Sequence, residues 1–397
     1  MTTPAPVPPA VLGTPFDTRT AAANGAGEWS RWAGYRTASV YTLTSLEHAA
    51  VRNTAALFDI SPMIKYRIAG SDAVPFLDRL LTRNVGKIAV GRAAYALWCD
   101  DHGKVIDDGT LFRLEDGVFQ LNAQERHLPW LRDSAIGFSV TIADVTDAIA
   151  ALALQGPTSC AVLKALGLAG IETLKPYRLE TFDFAGEPLV VSRTGYTGDL
   201  GYELWIAPAK AEALWDALMK AGALHGITPA GGQALELARI EAGFIQTNVD
   251  FMSIDRALRP SRGRSPFELG LGWLVDLEKG HFNGRRALLA EREAGSRYRL
   301  VGLDVAHNKP AAHALIYRGR GGREVGSVTS AAWSPTLKRN LALATLRADR
   351  AGDGSDLWAD IYVAKELKWE KIRATCRILE RPFFNPPRRW ATPPADR

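Results

Sequence analysis

Two adjacent carboxylates interrupt an otherwise apolar stretch and are the first candidates for chemistry. Asp107 and Asp108 lie within residues 105–112, whose β-branched and aromatic side chains predict a strand. Because neighbouring side chains of a strand point to opposite faces, one of the two carboxylates must point toward the packed face. A buried carboxylate beside a ligand can hold a protonated amine or position a group for transfer. The alternative is a bulge or strand end at which water reaches both carboxylates.

Glu203 is a second candidate, in the glycine-rich stretch 192–205. Three glycines predict a turn, after which Glu203 interrupts an apolar strand on the face that it shares with Trp205. An acid beside aromatic side chains suits a flat ring with two N–H donors, because one carboxylate can accept both. An ordinary glycine-rich hairpin is the alternative. No lysine follows the glycines, so the stretch does not match a phosphate-binding loop.

Two further side chains have both a structural and a functional interpretation. Arg239 lies near the end of a predicted helix, where it could pair with Glu236 on the helix surface. It could instead supply a cation for a carboxylate or ring oxygen of a ligand. Tyr95, in a predicted strand, is either a core residue or a ligand contact. These residues alone leave both alternatives open.

Composition limits the chemistry that the chain can perform. The 48 Lys and Arg against 43 Asp and Glu give a net charge of +5, spread along the chain, which does not predict nucleic-acid binding. Cys99, Cys160 and Cys376 are too far apart for a disulfide framework or a cysteine zinc site. The seven histidines are equally dispersed, so we expect no metal site. Chemistry must then come from carboxylates, aromatic residues, arginines or a bound organic cofactor.

Neither a membrane span nor a secretion signal is visible. The longest apolar run, residues 148–154, is much shorter than the roughly 18 residues that a membrane helix needs. Residues 1–9 are proline-rich and lack the charged start and apolar core of a signal peptide. We therefore expect a cytoplasmic protein without a membrane partner.

The length of 397 residues predicts two or three domains of roughly 100–200 residues each. Strand and helix patterns alternate as far as about residue 294. Short β-type runs separated by turns follow, which predicts a C-terminal antiparallel barrel or sandwich with a boundary near residue 295. The expected fold class is α+β.

In this order, several stretches resemble the glycine cleavage T-protein (aminomethyltransferase) superfamily of tetrahydrofolate-dependent one-carbon transferases. The resemblance spans roughly residues 30–380, and its length makes a chance match negligible. The stretches that carry it are residues 52–61, 103–108, 154–157, 193–203, 238–243, 271–273, 282–285 and 333–336.

The resemblance implies a three-domain ring around a central folate channel, with a C-terminal antiparallel β-barrel. Applied to this chain, it gives an N-terminal arm with part of domain 1 at residues 1–54 and a ferredoxin-like α+β domain at 55–145. The remainder of the folate-binding domain 1 falls at 146–294, and the barrel with a proline-rich tail at 295–397.

The family's site residues fall on the candidates above. Asp108 corresponds to the acid that faces the reactive nitrogens of tetrahydrofolate and is the expected catalytic residue. We prefer it to Asp107 because the related dimethylsulfoniopropionate demethylases keep an acid there and vary the preceding residue. Glu203 corresponds to the residue that contacts the amino edge of the pterin. The other expected folate contacts are Tyr95, Gln124, Tyr196 and Arg239.

The chain departs from the glycine-cleavage enzyme on the substrate side. Ser61, Pro62 and Met63 replace the family's Ser-His-Met, and residues 246–250 replace its Gly-Gln-Glu-Met-Asp stretch. These changes leave the folate residues intact but disfavour a lipoyl carrier protein as the substrate. The leading hypothesis is transfer of a methyl group from a small methylated O-, N- or S-compound to tetrahydrofolate. The alternatives are aminomethyl transfer from a lipoyl carrier and a folate-binding accessory protein without activity.

Overall fold

The computed structural model describes residues 11–352 and 354–393, so parts of the predicted N-terminal arm and tail lie outside the described residues. The strands are β1 (Glu28–Trp32), β2 (Tyr35–Val40), β3 (Ala55–Asp59), β4 (Ile64–Ala69), β5 (Arg92–Cys99), β6 (Val105–Glu115), β7 (Val118–Ala123), β8 (Thr141–Asp144), β9 (Ala150–Gln155), β10 (Leu179–Phe184), β11 (Glu187–Ser192), β12 (Gly201–Ile206), β13 (Ile227–Pro229), β14 (Tyr298–Val305), β15 (Leu315–Arg318), β16 (Arg323–Ser334), β17 (Arg339–Arg347), β18 (Leu357–Lys365) and β19 (Lys368–Leu379). The helices are α1 (Asp17–Ala23), α2 (Thr44–Asn53), α3 (Ala73–Leu80), α4 (Leu128–Ser134), α5 (Ser159–Ala165), α6 (Ala211–Ala221), α7 (Gly232–Glu241), α8 (Arg285–Ala294) and α9 (Ala348–Ala351).

A five-stranded antiparallel sheet, in the order β5-β6-β7-β4-β8, carries the carboxylate pair. Strands β6 and β7 form a hairpin because Asp116 and Gly117, the latter with φ 70°, provide the tight turn. Helix α3 packs on the sheet through its apolar side, which buries Phe76, Leu77 and Leu80.

A second sheet of six strands, in the order β10-β11-β12-β9-β3-β13, carries Glu203 on β12. Its pairs are antiparallel except for β13, which runs parallel to β3. Strand β3 belongs to this sheet through its pairing with β9, although it lies inside the predicted 55–145 domain. The domain limits stay a prediction.

The C-terminal part forms a closed barrel of six antiparallel strands in the order β14-β17-β16-β15-β18-β19. The predicted barrel and the α+β fold class are therefore confirmed. Alternating side chains from the strands fill its interior, including Leu303, Ile316 and Leu346. The short strand β15 carries too few residues for its pattern to stand out in the sequence.

Membrane helices and metal clusters are both absent from the described part of the chain. Residues 11–352 and 354–393 contain no helix that is long and apolar enough to span a membrane. Over the same residues, no group of three or more His, Cys, Asp or Glu side chains is arranged to hold a metal ion. The three cysteines are buried free thiols.

Candidate active site between the two sheets

The carboxylate pair lies beside an irregularity in the pairing of β5 with β6. Asp107 pairs with Trp98, whereas the next residue of β5, Cys99, pairs with Val105, so β6 has one extra residue at this point. The predicted bulge is present, but it does not expose both carboxylates to water. Asp107 is fully buried and Asp108 is half-buried.

Asp107 is surrounded by hydrogen-bond donors. Its Oδ1 accepts from the Thr247 hydroxyl at 2.6 Å and from the backbone N–H of Asp108 at 2.9 Å. Its Oδ2 accepts from the backbone N–H of Glu125 at 3.3 Å and lies 3.0 Å from His127 Nε2. Several donors on one carboxylate stabilise its ionised form.

Asp108 has fewer partners. The Tyr95 hydroxyl donates to its Oδ2 at 2.6 Å, and Thr247 Oγ1 lies 2.8 Å from its Oδ1. Burial and the neighbouring charge of Asp107 raise the pKa of Asp108 to about 7, although the hydrogen bond from Tyr95 opposes the shift. A carboxyl group with this pKa can gain or lose a proton near neutral pH.

The segment 245–247 holds two more of the predicted site residues near the pair. Gln124 Nε2 donates to the Thr247 carbonyl at 3.3 Å. The Tyr196 hydroxyl donates to the Ile245 carbonyl, and its ring stacks on Phe244 with the ring centres 5.5 Å apart. Burial, together with the charge of Asp108, raises the pKa of the Tyr196 phenol. The structure therefore brings Tyr95, Gln124 and Tyr196 to the neighbourhood of Asp108.

Glu203 presents a buried carboxylate that is only partly satisfied. Its Oε2 accepts from the Thr194 hydroxyl at 2.6 Å and from the Ser192 hydroxyl at 3.4 Å. Within residues 11–352 and 354–393, no donor reaches Oε1, although Glu203 is only 7% exposed. Burial raises the pKa of Glu203, and the two hydroxyl groups oppose this. A ligand with N–H donors would satisfy the free oxygen.

Glu203 and Asp108 lie on the faces of the two sheets that pack against each other. Glu203 shares a face of β12 with Trp205, because the Ser192 hydroxyl contacts both side chains. The Trp205 ring meets Phe112 edge to face, with ring centres 5.3 Å apart. Phe112 lies four residues from Asp108 on the same face of β6, which is about 13 Å along the strand. The two acids therefore flank one interface without touching.

Gln155 holds the glycine-rich turn that precedes Glu203. Its Nε2 donates to the carbonyls of Thr194 at 3.2 Å and Tyr202 at 3.3 Å. A Cβ at Gly195 would lie 2.0 Å from Gln155 Oε1, and a Cβ at Gly201 would lie 2.4 Å from the same side chain. These glycines are therefore required by close packing around Gln155.

Arg239 is fully buried and uses all five of its N–H donors within the chain. It binds Glu236 through Nε at 2.9 Å and Nη2 at 2.5 Å, and Asp250 through Nη1 at 2.6 Å. Nη1 also donates to the Phe244 carbonyl at 3.0 Å, and Nη2 to Ser330 of the barrel at 2.7 Å. Burial would lower the pKa of Arg239, but the charges of Asp250 and Glu236 raise it. The pair with Glu236 is thus present, and the predicted folate contact stays a prediction.

Thr247 and His127 were not among the predicted site residues. Thr247 lies in a stretch that departs from the family pattern, and His127 follows the β6–β7 hairpin without a recognisable motif. Their hydrogen bonds to Asp107 connect residues 140 and 20 positions apart. No local sequence signal marks either contact.

Two family models match most of the chain. The GCVT N-terminal domain matches residues 16–279, and the glycine cleavage T-protein C-terminal barrel domain matches residues 299–385. An aminomethyltransferase of Halothermothrix orenii is 35% identical over 321 residues, which cover 80% of this chain and 87% of the relative. One of Saccharopolyspora erythraea is 36% identical over 338 residues, which cover 84% of this chain and 90% of the relative.

A relative that is not named an aminomethyltransferase is also similar to this chain. The trimethylamine-oxide aldolase of Ruegeria pomeroyi is 38% identical over 312 residues, which cover 75% of this chain but 38% of that protein.

The crystal structure of glycine cleavage system aminomethyltransferase T from Bartonella henselae superposes with a TM-score of 0.82 at 25% identity, covering 94% of this chain and 98% of that one. The chain therefore belongs to the glycine cleavage T-protein family of aminomethyltransferases.

Proposed function

We propose that this protein transfers an aminomethyl-derived one-carbon unit to tetrahydrofolate. The observation that carries the proposal is the placement of two unlike acids on the faces of the two sheets that pack together. Asp108 has a pKa of about 7, and Glu203 Oε1 accepts from no donor in the described chain. The names of the relatives that match over most of the chain support the same reaction.

Tetrahydrofolate suits the residues at this interface. Its pterin ring has an amino group and ring N–H groups on one edge, which are the donors that Glu203 Oε1 lacks. The aromatic rings of Tyr95, Tyr196 and Phe244 provide flat apolar surfaces near Asp108. When bound, tetrahydrofolate supplies the nucleophilic nitrogens that accept the one-carbon unit.

In the proposed reaction, Asp108 orients the reacting nitrogen and handles a proton. The donor carbon would form two bonds to folate nitrogens as its bonds to sulfur and to the amino nitrogen break. The two displaced N–H protons leave with the donor thiol and with ammonia, so a group that titrates near neutral pH is useful there. Asp108 is that group, and Tyr95 fixes its Oδ2. Positioning of the two reactants and exclusion of water then supply the rate, without a protein nucleophile. We keep Gln124, Tyr196 and Arg239 as proposed folate contacts.

The donor is the point on which the sequence and the comparisons differ. The departures at residues 61–63 and 246–250 favour a small methylated compound, whereas the relatives named aminomethyltransferase favour a lipoyl carrier protein as partner. We rank the carrier first because those relatives match along almost their whole length. A small methylated amine is the second candidate, and the similarity to a trimethylamine-oxide aldolase supports it. A cytoplasmic location stays part of the proposal.

In the experiment, the purified protein is incubated with tetrahydrofolate and one of two kinds of donor. The donor is either an aminomethyl-loaded lipoyl carrier or a member of a panel of methylated amines, ethers and thioethers. Folate products are quantified by mass spectrometry, with Asp108→Asn as the inactive control. We expect methylene-tetrahydrofolate with the carrier. Methyl-tetrahydrofolate from a panel compound, with no product from the carrier, would make the demethylase hypothesis correct. Tight folate binding without any turnover would identify an accessory protein instead.

A further inference from the structure

The hydroxyl of Thr247 faces both carboxylates of the pair but has one proton. Its Oγ1 lies 2.6 Å from Asp107 Oδ1 and 2.8 Å from Asp108 Oδ1. If both carboxylates were ionised, one of these contacts would join two oxygens with no proton between them. One of the two acids must therefore carry a proton in this geometry, as in other pairs of closely spaced carboxylates.

The other donors indicate which acid is ionised. Asp107 also accepts from the backbone N–H groups of Asp108 and Glu125 and contacts His127, whereas Asp108 has only Tyr95 besides Thr247 among the described residues. A fully buried anion also needs a countercharge. These contacts place the negative charge on Asp107 and the proton on Asp108.

The countercharge comes from His127. Its Nε2 lies 3.0 Å from Asp107 Oδ2, and its Nδ1 lies 3.3 Å from Asp255 Oδ2. A neutral imidazole has one nitrogen without a proton, which would then face a carboxylate oxygen, so both nitrogens must carry protons. Burial alone would lower the pKa of His127, but the hydrogen bonds to Asp107 and Asp255 raise it to about 9.

We propose that His127 is a positioning residue whose imidazolium keeps Asp107 ionised and thereby leaves the proton of the carboxyl pair on Asp108. Thr247 then donates to Asp107 and accepts from Asp108. The importance of this proton for catalysis rests on the proposed function, whereas the arrangement of protons is a property of the protein without folate.

The surroundings of His127 are consistent with a fixed, charged ring. The titratable groups that face it are Asp107 of β6, Asp255 of the turn at residues 254–256 and Tyr66 of β4, whose hydroxyl accepts the His127 backbone N–H at 2.7 Å. The Trp98 ring of β5 packs against the imidazole edge to face, with ring centres 5.7 Å apart. The Asp255 side chain is 36% exposed, so this end of the network reaches water.

The test is a titration of the folate-free protein followed by NMR, with labelled aspartate carboxyl carbons and histidine rings. Between about pH 5 and pH 8, we expect the Asp108 carboxyl carbon to titrate and the His127 ring to stay protonated. In His127→Gln, which keeps a donor but not the charge, we expect the pH at which Asp108 titrates to rise, because the pair loses its countercharge.

His48→Gln is the matched control. His48 is also buried and contacts a carboxylate, Glu241 Oε2, at 3.0 Å, but it lies on α2 away from the pair. We expect this variant to leave the Asp108 titration unchanged. The pH profile of turnover should shift in the His127 variant and not in the His48 variant.

Two results would overturn the proposal. One is deprotonation of the His127 ring below about pH 7 in the wild-type protein, and the other is an Asp108 carboxyl carbon that does not titrate between about pH 5 and pH 8. Both come from the wild-type protein and do not depend on the folding of a variant. Failure to bind folate, with the expected titrations intact, would contradict the proposed function alone.

Discussion

At the scale of single residues, two neighbouring aspartates have different environments. Asp107 is fully buried among backbone and side-chain donors, and Asp108 is half-buried beside Tyr95. An acid with many donors remains an anion, whereas an acid beside that anion retains its proton to higher pH. The difference gives Asp108 the property that the proposed proton transfer requires.

Replacing Asp108 by asparagine tests its proposed catalytic role. The amide keeps the size of the side chain but cannot gain or lose a proton near neutral pH. We expect folate affinity within about threefold of wild type and a fall in turnover of roughly 10²- to 10⁴-fold, the usual contribution of general acid–base catalysis. The wild-type rate should also change with pH around 7, and this inflection should be absent from the variant. Calorimetry and steady-state kinetics give these quantities, and a variant with wild-type turnover would contradict the role.

Replacing Glu203 by glutamine tests the contact to the pterin. The substitution converts one acceptor oxygen into a donor amide. It therefore removes one of the proposed hydrogen bonds and places an N–H group opposite an N–H donor of the pterin. We expect folate affinity to fall by about 10- to 100-fold, or roughly 1.4–2.8 kcal/mol. Glu212→Gln is the control, because Glu212 lies on the exposed side of α6. Equal affinities of the two variants, measured by calorimetric titration, would exclude the pterin assignment.

At the scale of elements, the bulge in β6 and the turn before β12 determine where the two acids point. The bulge brings consecutive side chains of β6 within reach of the same hydroxyl of Thr247. The turn is held at both ends by Gln155, which bonds the carbonyls of Thr194 and Tyr202 on either side of Gly195 and Gly201.

Gly195→Ala tests the role of this turn. The added methyl group would lie 2.0 Å from Gln155 Oε1, so Gln155 must move and give up its hydrogen bonds to the turn. We expect a loss of about 1–3 kcal/mol in the free energy of unfolding, together with weaker folate binding. Gly280→Ala is the control, since no atom of the described residues, apart from its own and its chain neighbours', lies within 4 Å of the position that its methyl group would take. Thermal and denaturant unfolding should leave the control close to wild type; equal stability of the two variants would contradict this role of Gln155.

At the scale of the whole molecule, buried charged side chains of α7 contact both the barrel and α2. Arg239 of α7 donates to Ser330 of β16, and Glu241 accepts from Ser334 of the same strand at 2.5 Å. Glu241 also binds Arg52 of α2 at 2.8 Å. Removing one partner of such a network leaves a buried charge uncompensated, so these contacts fix the barrel against α7.

The stability of the protein at low pH should depend on Glu241. Burial would raise the pKa of Glu241, but its contacts with His48 and Arg52 lower it from 4.5 to about 2. A lowered pKa in the folded state gives stability that is present above pH 4.5 and is lost as the pH falls toward 2. The full effect is on the order of 3 kcal/mol. Denaturant unfolding at several pH values should show that the free energy of unfolding falls more steeply on acidification in wild type than in Glu241→Gln. Equal falls in the two proteins would contradict this role of Glu241.

The family, the α+β fold class and the C-terminal barrel could all be predicted from the amino-acid order alone. Asp108 and Glu203 could also be predicted as candidates. An acid in an apolar strand conflicts with the local preference for apolar side chains, and such conflicts concentrate at functional sites. The positions of Thr247 and His127 around the pair became visible only in the folded chain, as did the use of every Arg239 donor within it. Strand and helix patterns follow from local periodicity, whereas these contacts join distant segments that meet only when the sheets and barrel pack together.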